Sequence, residues 1–280
     1  MRDSILAELS EGSSVMYQDT ALAIVYLNGE YWGHYNLRER INTFSICQWE
    51  GWDESVKDSM DLLKANTSVM QGSNKDWLAI KEWYEKNGIE TEEELEYIKQ
   101  FIDVDNYLEY IAIQMYGGNP DLLNVKKYKS DEIDGKWRWI LFDTDWAFHH
   151  DTNSPNRWLT PGGMGTDKKT DNSLFIELMK NPVCKDQFLT YFAEHLATTW
   201  STENVLRLIE ERAALLEPEI DQHLARWNIS RSVYDSEMKT IKNWVNKRPG
   251  RLLYFFSNLL SDSEMEHYFG DILETVSPIS

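Results

Sequence analysis

"KWRWILFDTDWAFHHD", residues 136–151, is the stretch whose reading decides the fold. Its first half is rich in aromatic and β-branched residues and reads as a strand from Lys136 to Phe142. That strand delivers Asp143 and Asp145 to its C-terminal end. Along an extended chain the two carboxylates point to opposite faces, and they converge only if the chain bends after Phe142, as at Thr144. Once converged, they are hard oxygen ligands suited to Mg²⁺ or Mn²⁺ bound with substrate phosphates. The competing reading is that one aspartate caps a turn while the other pairs with a nearby Arg or Lys.

Immediately upstream, "NVKKYKS" reads as a second strand, and Asp134-Gly135 is the turn that closes a hairpin. Before it lies "GGNPDLLN", which places Asp121 and Asn124 in a loop after a helix spanning Asp105 to Met115. A loop aspartate can take a proton from a substrate hydroxyl, and an asparagine nearby can complete a metal site. Asn119-Pro120-Asp121 is equally a turn by composition. Together, base, asparagine, hairpin and aspartate follow the order of parts in a protein-kinase active site. H-R-D, D-F-G and a G-x-G-x-x-G loop are all missing, which excludes an ordinary kinase.

Other candidates are weaker. Arg38 and Arg40 alternate with Glu39 at a strand end and suit either bidentate phosphate contact or a structural ion pair. Lys127 and Lys129 share one strand face as phosphate contacts or as a solvated strand edge. Adjacent His149 and His150, with Asp151, lack a third ligand at zinc spacing and read as structural or surface residues. The 12 Trp fall among apolar positions and read as core, with Trp49, Trp52 and Trp158 in loop-like contexts open to exposure.

The remaining chain supplies the frame. A short N-terminal helix precedes a β-hairpin, Ala21–Leu27 and Tyr31–Leu37, joined by Asn28-Gly29. Residues 50–75 read as a polar loop or insertion. Helices follow over 76–87 and from the Thr91/Glu94 capping box. From about Leu174 the chain is helical, and Pro218 is expected to kink or break one helix. The fold class is therefore α+β, with short β-hairpins and a mostly helical C-terminal half.

At 280 residues the chain suits one large domain or two lobes. Its formal charge of −19 argues against a nucleic-acid partner. No apolar run approaches the roughly 18 to 20 residues of a membrane span, and the N-terminus has no long apolar leader core. Cys47 and Cys184 form no metal pattern; one bridge or two separate thiols both fit.

The segments "MRDSILAEL", "VYLNGEYWGHYNLRERI", "GGNPDLLNVKKYK", "GKWRWILFDTDWAF", "LEPEIDQHLARW" and "NWVNKRPGRLLYFF" resemble the CotH family, the spore-coat protein H-like atypical kinases. The resemblance covers most of the chain. It implies a divergent protein-kinase-like fold that uses ATP with Mg²⁺ or Mn²⁺ to phosphorylate Ser or Thr of secreted or coat proteins. Residues 1–75 would be the remnant of an N-terminal lobe, and 76–280 the catalytic hairpin and helical lobe. By this resemblance Asp121 is the catalytic base, while Asn124, Asp143 and Asp145 are metal ligands. Glu39 falls on the acid of the family's strand end, a structural or nucleotide-lobe pairing role, and the location is extracellular, cell-surface or spore coat. The chain departs from the family in a shorter "DLLN" loop with one asparagine, and in Ala147 where glycine is common. The match also starts partway into the family domain, so upstream strands carrying a nucleotide-contacting lysine are expected to be lacking. A catalytically impaired scaffold or interaction module is the alternative this raises.

Overall fold

A computed structural model describes residues 1–164 and 171–280. Strand alternation and turn chemistry fix its β part. Helix α1 (Arg2–Glu8) leads into the two-residue strand β1 (Met16–Tyr17) and then a long hairpin, β2 (Thr20–Leu27) and β3 (Glu30–Arg38). Asn28 and Gly29 form its turn, as the sequence predicts. Helix α2 (Thr43–Glu50) starts at an Asn42/Ser45 capping box.

Residues 50–75 are not an insertion. They contain a second hairpin, β4 (Met60–Lys64) and β5 (Ser68–Gln71), and β4 lies inside the main sheet. Its turn contains Ala65 in the left-handed region, φ 53°, where no Gly or Asn announces the bend. Helices α3 (Lys75–Asn87), α4 (Glu92–Ile98, with the Thr91/Glu94 capping box formed) and α5 (Val104–Gly117) follow. The predicted central hairpin is β6 (Lys126–Ser130) and β7 (Arg138–Leu141).

The five-stranded sheet has the order β1-β7-β6-β4-β5, antiparallel except for the β1–β7 pair. One face carries a small core of Met16, Ile46, Met60, Leu62, Tyr128 and Ile140 under α2. The other face joins the main core, where Trp77, Trp137, Trp139 and Trp200 are buried. Half of the 12 tryptophans are core, Trp158 among them although its context read as loop, while Trp146 and Trp227 are 50% and 41% exposed. Trp49 is 37% exposed.

Helices α6 (Ser154–Leu159), α7 (Ser173–Leu178), α8 (Pro182–Ala197), α9 (Thr202–Trp227), α10 (Arg231–Ser257) and α11 (Asp262–Leu273) complete the chain. Pro218 does not break its helix: α9 runs unbroken through it. The β2–β3 hairpin leans on α9, with Trp32 edge-on to Trp227 and His34 against His223 at 3.8 Å between ring centroids. Gly33, at φ 139°, permits this approach, because a Cβ there would lie 2.8 Å from His223 Nδ1. Cys47 and Cys184 are separate, buried thiols. Among the described residues no helix is long and apolar enough to cross a membrane.

Candidate active site

The site forms where α5 and β7 end. Gly118 takes the left-handed conformation, φ 61°, and stops α5. The last carbonyls of that helix are then held from far along the chain. Arg248 on α10, 1% exposed, donates from Nε to the Tyr116 carbonyl (2.9 Å) and from Nη2 to the Met115 carbonyl (2.6 Å). Burial lowers its guanidinium to about 10.

Beyond Gly118 the loop is tied by its own side chains. Buried Asn119 accepts the Asp121 backbone N–H through Oδ1 (3.1 Å), so the predicted turn is there. Asn124 then joins the two carboxylates: its Nδ2 donates to Asp121 Oδ2 at 3.1 Å and to Asp143 Oδ2 at 2.8 Å. The sequence-predicted base, asparagine and metal aspartate therefore meet.

Asp143 reaches that contact because the chain bends sooner than expected. Strand β7 ends at Leu141, and Asp143 itself has φ 56°, so the turn falls on the aspartate rather than on Thr144. Thr144 does something else. Its backbone N–H and its hydroxyl both donate to Asp3 Oδ1, each at 2.8 Å. The second oxygen of Asp3 pairs with Arg38 Nη1 at 3.1 Å. An acid on the buried side of α1 thus pins the loop and links it to β3. The sequence signal is an aspartate two residues before the apolar pair Ile5-Leu6, on a helix too short to show which side of it is buried.

Burial, then the neighbouring charges of Asp145 and Asp3, raises the Asp143 carboxyl above its ordinary value; Arg38 opposes this and Asp121 adds to it. Four acids with one close arginine leave excess negative charge. Asp145 is exposed and lies, with Arg38 and Asp3, on the rim of a cavity of about 500 Å³ between β3, α9 and α10. Among the described residues, no three His, Cys, Asp or Glu side chains are grouped to hold a metal. A divalent ion here would rest on fewer carboxylates. Asp143, Asp121 and the Asn124 amide fit one in kind: all offer hard oxygens, and a half-turn of that amide presents Oδ1 in place of its NH₂.

The other candidates part company. Glu39 and Arg40 are exposed just past β3. Lys127 and Lys129 are 2% and 3% exposed on the main-core face of β6. Lys127 sits 3.4 Å over the Trp77 ring, and Lys129 is paired with Asp76 (2.5 Å) and Asp131 (2.6 Å). Neither lines a solvated strand edge, because β6 is interior to the sheet. The lysine turned toward the aspartates is Lys126, whose ammonium lies 4.1 Å over the ring of Phe142. His149 and His150 bond each other at 3.0 Å, His150 stacks on Trp146, and Asp151 pairs with Arg251.

No curated protein is similar enough to this chain to count as a match. A family model described as CotH kinase protein matches residues 1–252, most of the chain and every residue of the site, so that the chain belongs to the CotH kinase family and is a kinase-like domain.

Proposed function

We propose that this domain transfers the terminal phosphoryl group of ATP, with Mg²⁺ or Mn²⁺, to a Ser or Thr hydroxyl of a protein. The observation that carries the reading is the Asn124 amide joining the Asp121 and Asp143 carboxylates. Phosphoryl transfer asks a protein mainly for positioning and charge neutralisation, and these side chains supply both. Asp121 accepts the proton of the acceptor hydroxyl through a carboxylate oxygen. Its orientation is set by Asn124 on one side and by the Leu123 backbone N–H on the other. Asp143 and the Asn124 amide, turned to present Oδ1, would hold the metal, with exposed Asp145 adding its charge nearby; when bound, that ion would neutralise charge on the phosphate oxygens. Asp3 acts one step away by fixing Thr144, and with it the direction of Asp143. The acceptor in this reading is a secreted or coat protein, as the sequence resemblance implies.

Asp121→Asn and Asp143→Asn should each lower phosphotransfer at least about 100-fold, with the unfolding midpoint little changed. Radiolabelled ATP with a serine-containing acceptor protein reads the first quantity and thermal unfolding the second. Wild-type rates in either variant would end this reading.

A second reading, a scaffold without catalysis, is favoured by the burial of Lys127 and Lys129, the two lysines whose spacing pointed to phosphate. Unfolding with and without ATP and Mn²⁺ separates the two. A ligand that binds only the folded state raises its stability by about 2.7 kcal/mol at a hundred times its Kd, and a scaffold shows no such rise.

A further inference from the structure

Arg248 holds the end of α5, but no carboxylate balances its charge. It is the one arginine buried among the described residues, and its partners are neutral: the carbonyls of Met115, Tyr116 and Thr152 and the Ser154 hydroxyl. Neutral acceptors restore the lost hydration of a buried cation only in part. The acid that acts on it is Asp151, whose carboxylate is already taken by Arg251 at 2.5 Å. Arg251 repels Arg248 in turn, and its own Nε is buried without a hydrogen-bond partner. Both arginines line a cavity of about 220 Å³ between α10 and the chain that follows Asp145. Asn243 and Lys247 line it too, at four-residue spacing with Arg251 and so on adjoining turns of one side of α10. Three cations thus stand against one acid, in a chain whose formal charge is −19. The cavity is smaller than the roughly 300 Å³ at which sites for drug-sized ligands begin. Asp121, Asn124, Asp143 and Asp145 do not line it.

We infer that Lys247, Arg248 and Arg251 form a site for a single phosphate group, separate from the candidate active site. Three cations less one acid leave two positive charges, which match the charge of about −1.5 to −2 on a phosphate monoester better than the single charge of a carboxylate. Lys247 is exposed and free to close on an oxygen, and the Arg251 Nε–H has a donor to give. Arg248, with four hydrogen bonds already made, acts through its charge. Two sources carry this group: inorganic phosphate, and a phosphorylated side chain of the acceptor protein, the second resting on the phosphotransfer reading above. The position favours the second. Arg248 and Trp244 pack against Gly118, three residues before Asp121, and His149, four residues after Asp145, lines the same cavity. The cavity therefore adjoins both segments that carry the candidate catalytic carboxylates. A protein phosphorylated once would be held there for transfer to a further hydroxyl.

Calorimetry in EDTA with a phosphoserine peptide, its unphosphorylated twin and inorganic phosphate tests the assignment. The phosphopeptide should bind about tenfold more tightly than its twin, the size of one charge-assisted contact. Lys247→Glu should remove that difference and Lys247→Arg should keep it, with both unfolding midpoints near wild type because Lys247 is exposed. Inorganic phosphate binding more weakly than the phosphopeptide identifies a phosphorylated protein as the source; equal or tighter binding identifies the free ion. A phosphopeptide that binds no better than its twin, or equally well to Lys247→Glu, overturns the inference. Displacement of the phosphopeptide by ATP with Mn²⁺ also overturns it, because the cavity would then belong to the nucleotide site. If the phosphopeptide binds through Lys247 but ATP yields no phosphotransfer, the kinase reading fails and this site stands. Phosphotransfer without phosphate-dependent binding removes the site and leaves the kinase reading.

Discussion

The two faces of strand β6 present lysines to opposite surroundings. On one face Lys127 and Lys129 enter the main core; on the other Lys126 meets the end of the small core, next to Asp143. The three are neighbours in sequence and identical in chemistry, so only what covers each face separates them. Alternation correctly put Lys127 and Lys129 together, but it could not say that helix α3 and its Trp77 lie over them. A lysine run on a strand therefore has three energetic fates here, and each can be measured.

The largest stability effect belongs to Lys129. Its side chain is 4% exposed among Asp61, Asp76 and Asp131. Lys129→Met leaves those acids without their cation. Asp76 and Asp131 can rehydrate, so the loss should be about 2 kcal/mol, below the 3–5 of a fully enclosed pair, read by urea unfolding. Lys127 should move the other way. Burial holds its ammonium well below the ordinary lysine value of 10.5. The unfolded chain then binds the proton more tightly, so wild-type stability rises with pH through the alkaline range up to that ordinary value. Lys127→Met should gain about 1 kcal/mol at neutral pH and flatten that rise. A loss of stability, or an unchanged slope, would show that the ammonium is well served by the Trp77 ring. Lys126→Met should change stability least, by a few tenths of a kcal/mol upward as cross-strand repulsion from Lys64 is relieved.

The same contrast explains what was legible beforehand. Features encoded locally were plain: the Asn28-Gly29 hairpin, the Thr91/Glu94 box, the stop at Gly117-Gly118 and the β6–β7 hairpin all carry their own turn or cap chemistry. The meeting of Asp121, Asn124 and Asp143 was foreseen from the order of parts. Features that depend on distant chain were not. Strand β4 gains its place by pairing with β5 on one side and β6 on the other, and its turn uses an alanine where glycine is usual. Asp3 acquires its importance from Thr144, 141 residues away. Arg248 acquires its own from carbonyls 132 and 133 residues upstream.

That last arrangement bears on how the chain matures during synthesis. Helix α5 and the loop carrying Asp121 and Asn124 leave the ribosome long before α10 does. Until Arg248 arrives, the carbonyls of Met115 and Tyr116 lack their guanidinium partner. The end of α5, from which the loop with Asp121 and Asn124 departs, thus waits for one of its partners on chain made 132 residues later. A nascent chain halted before Arg248 would hold every residue named in the site and still lack the clamp that completes it.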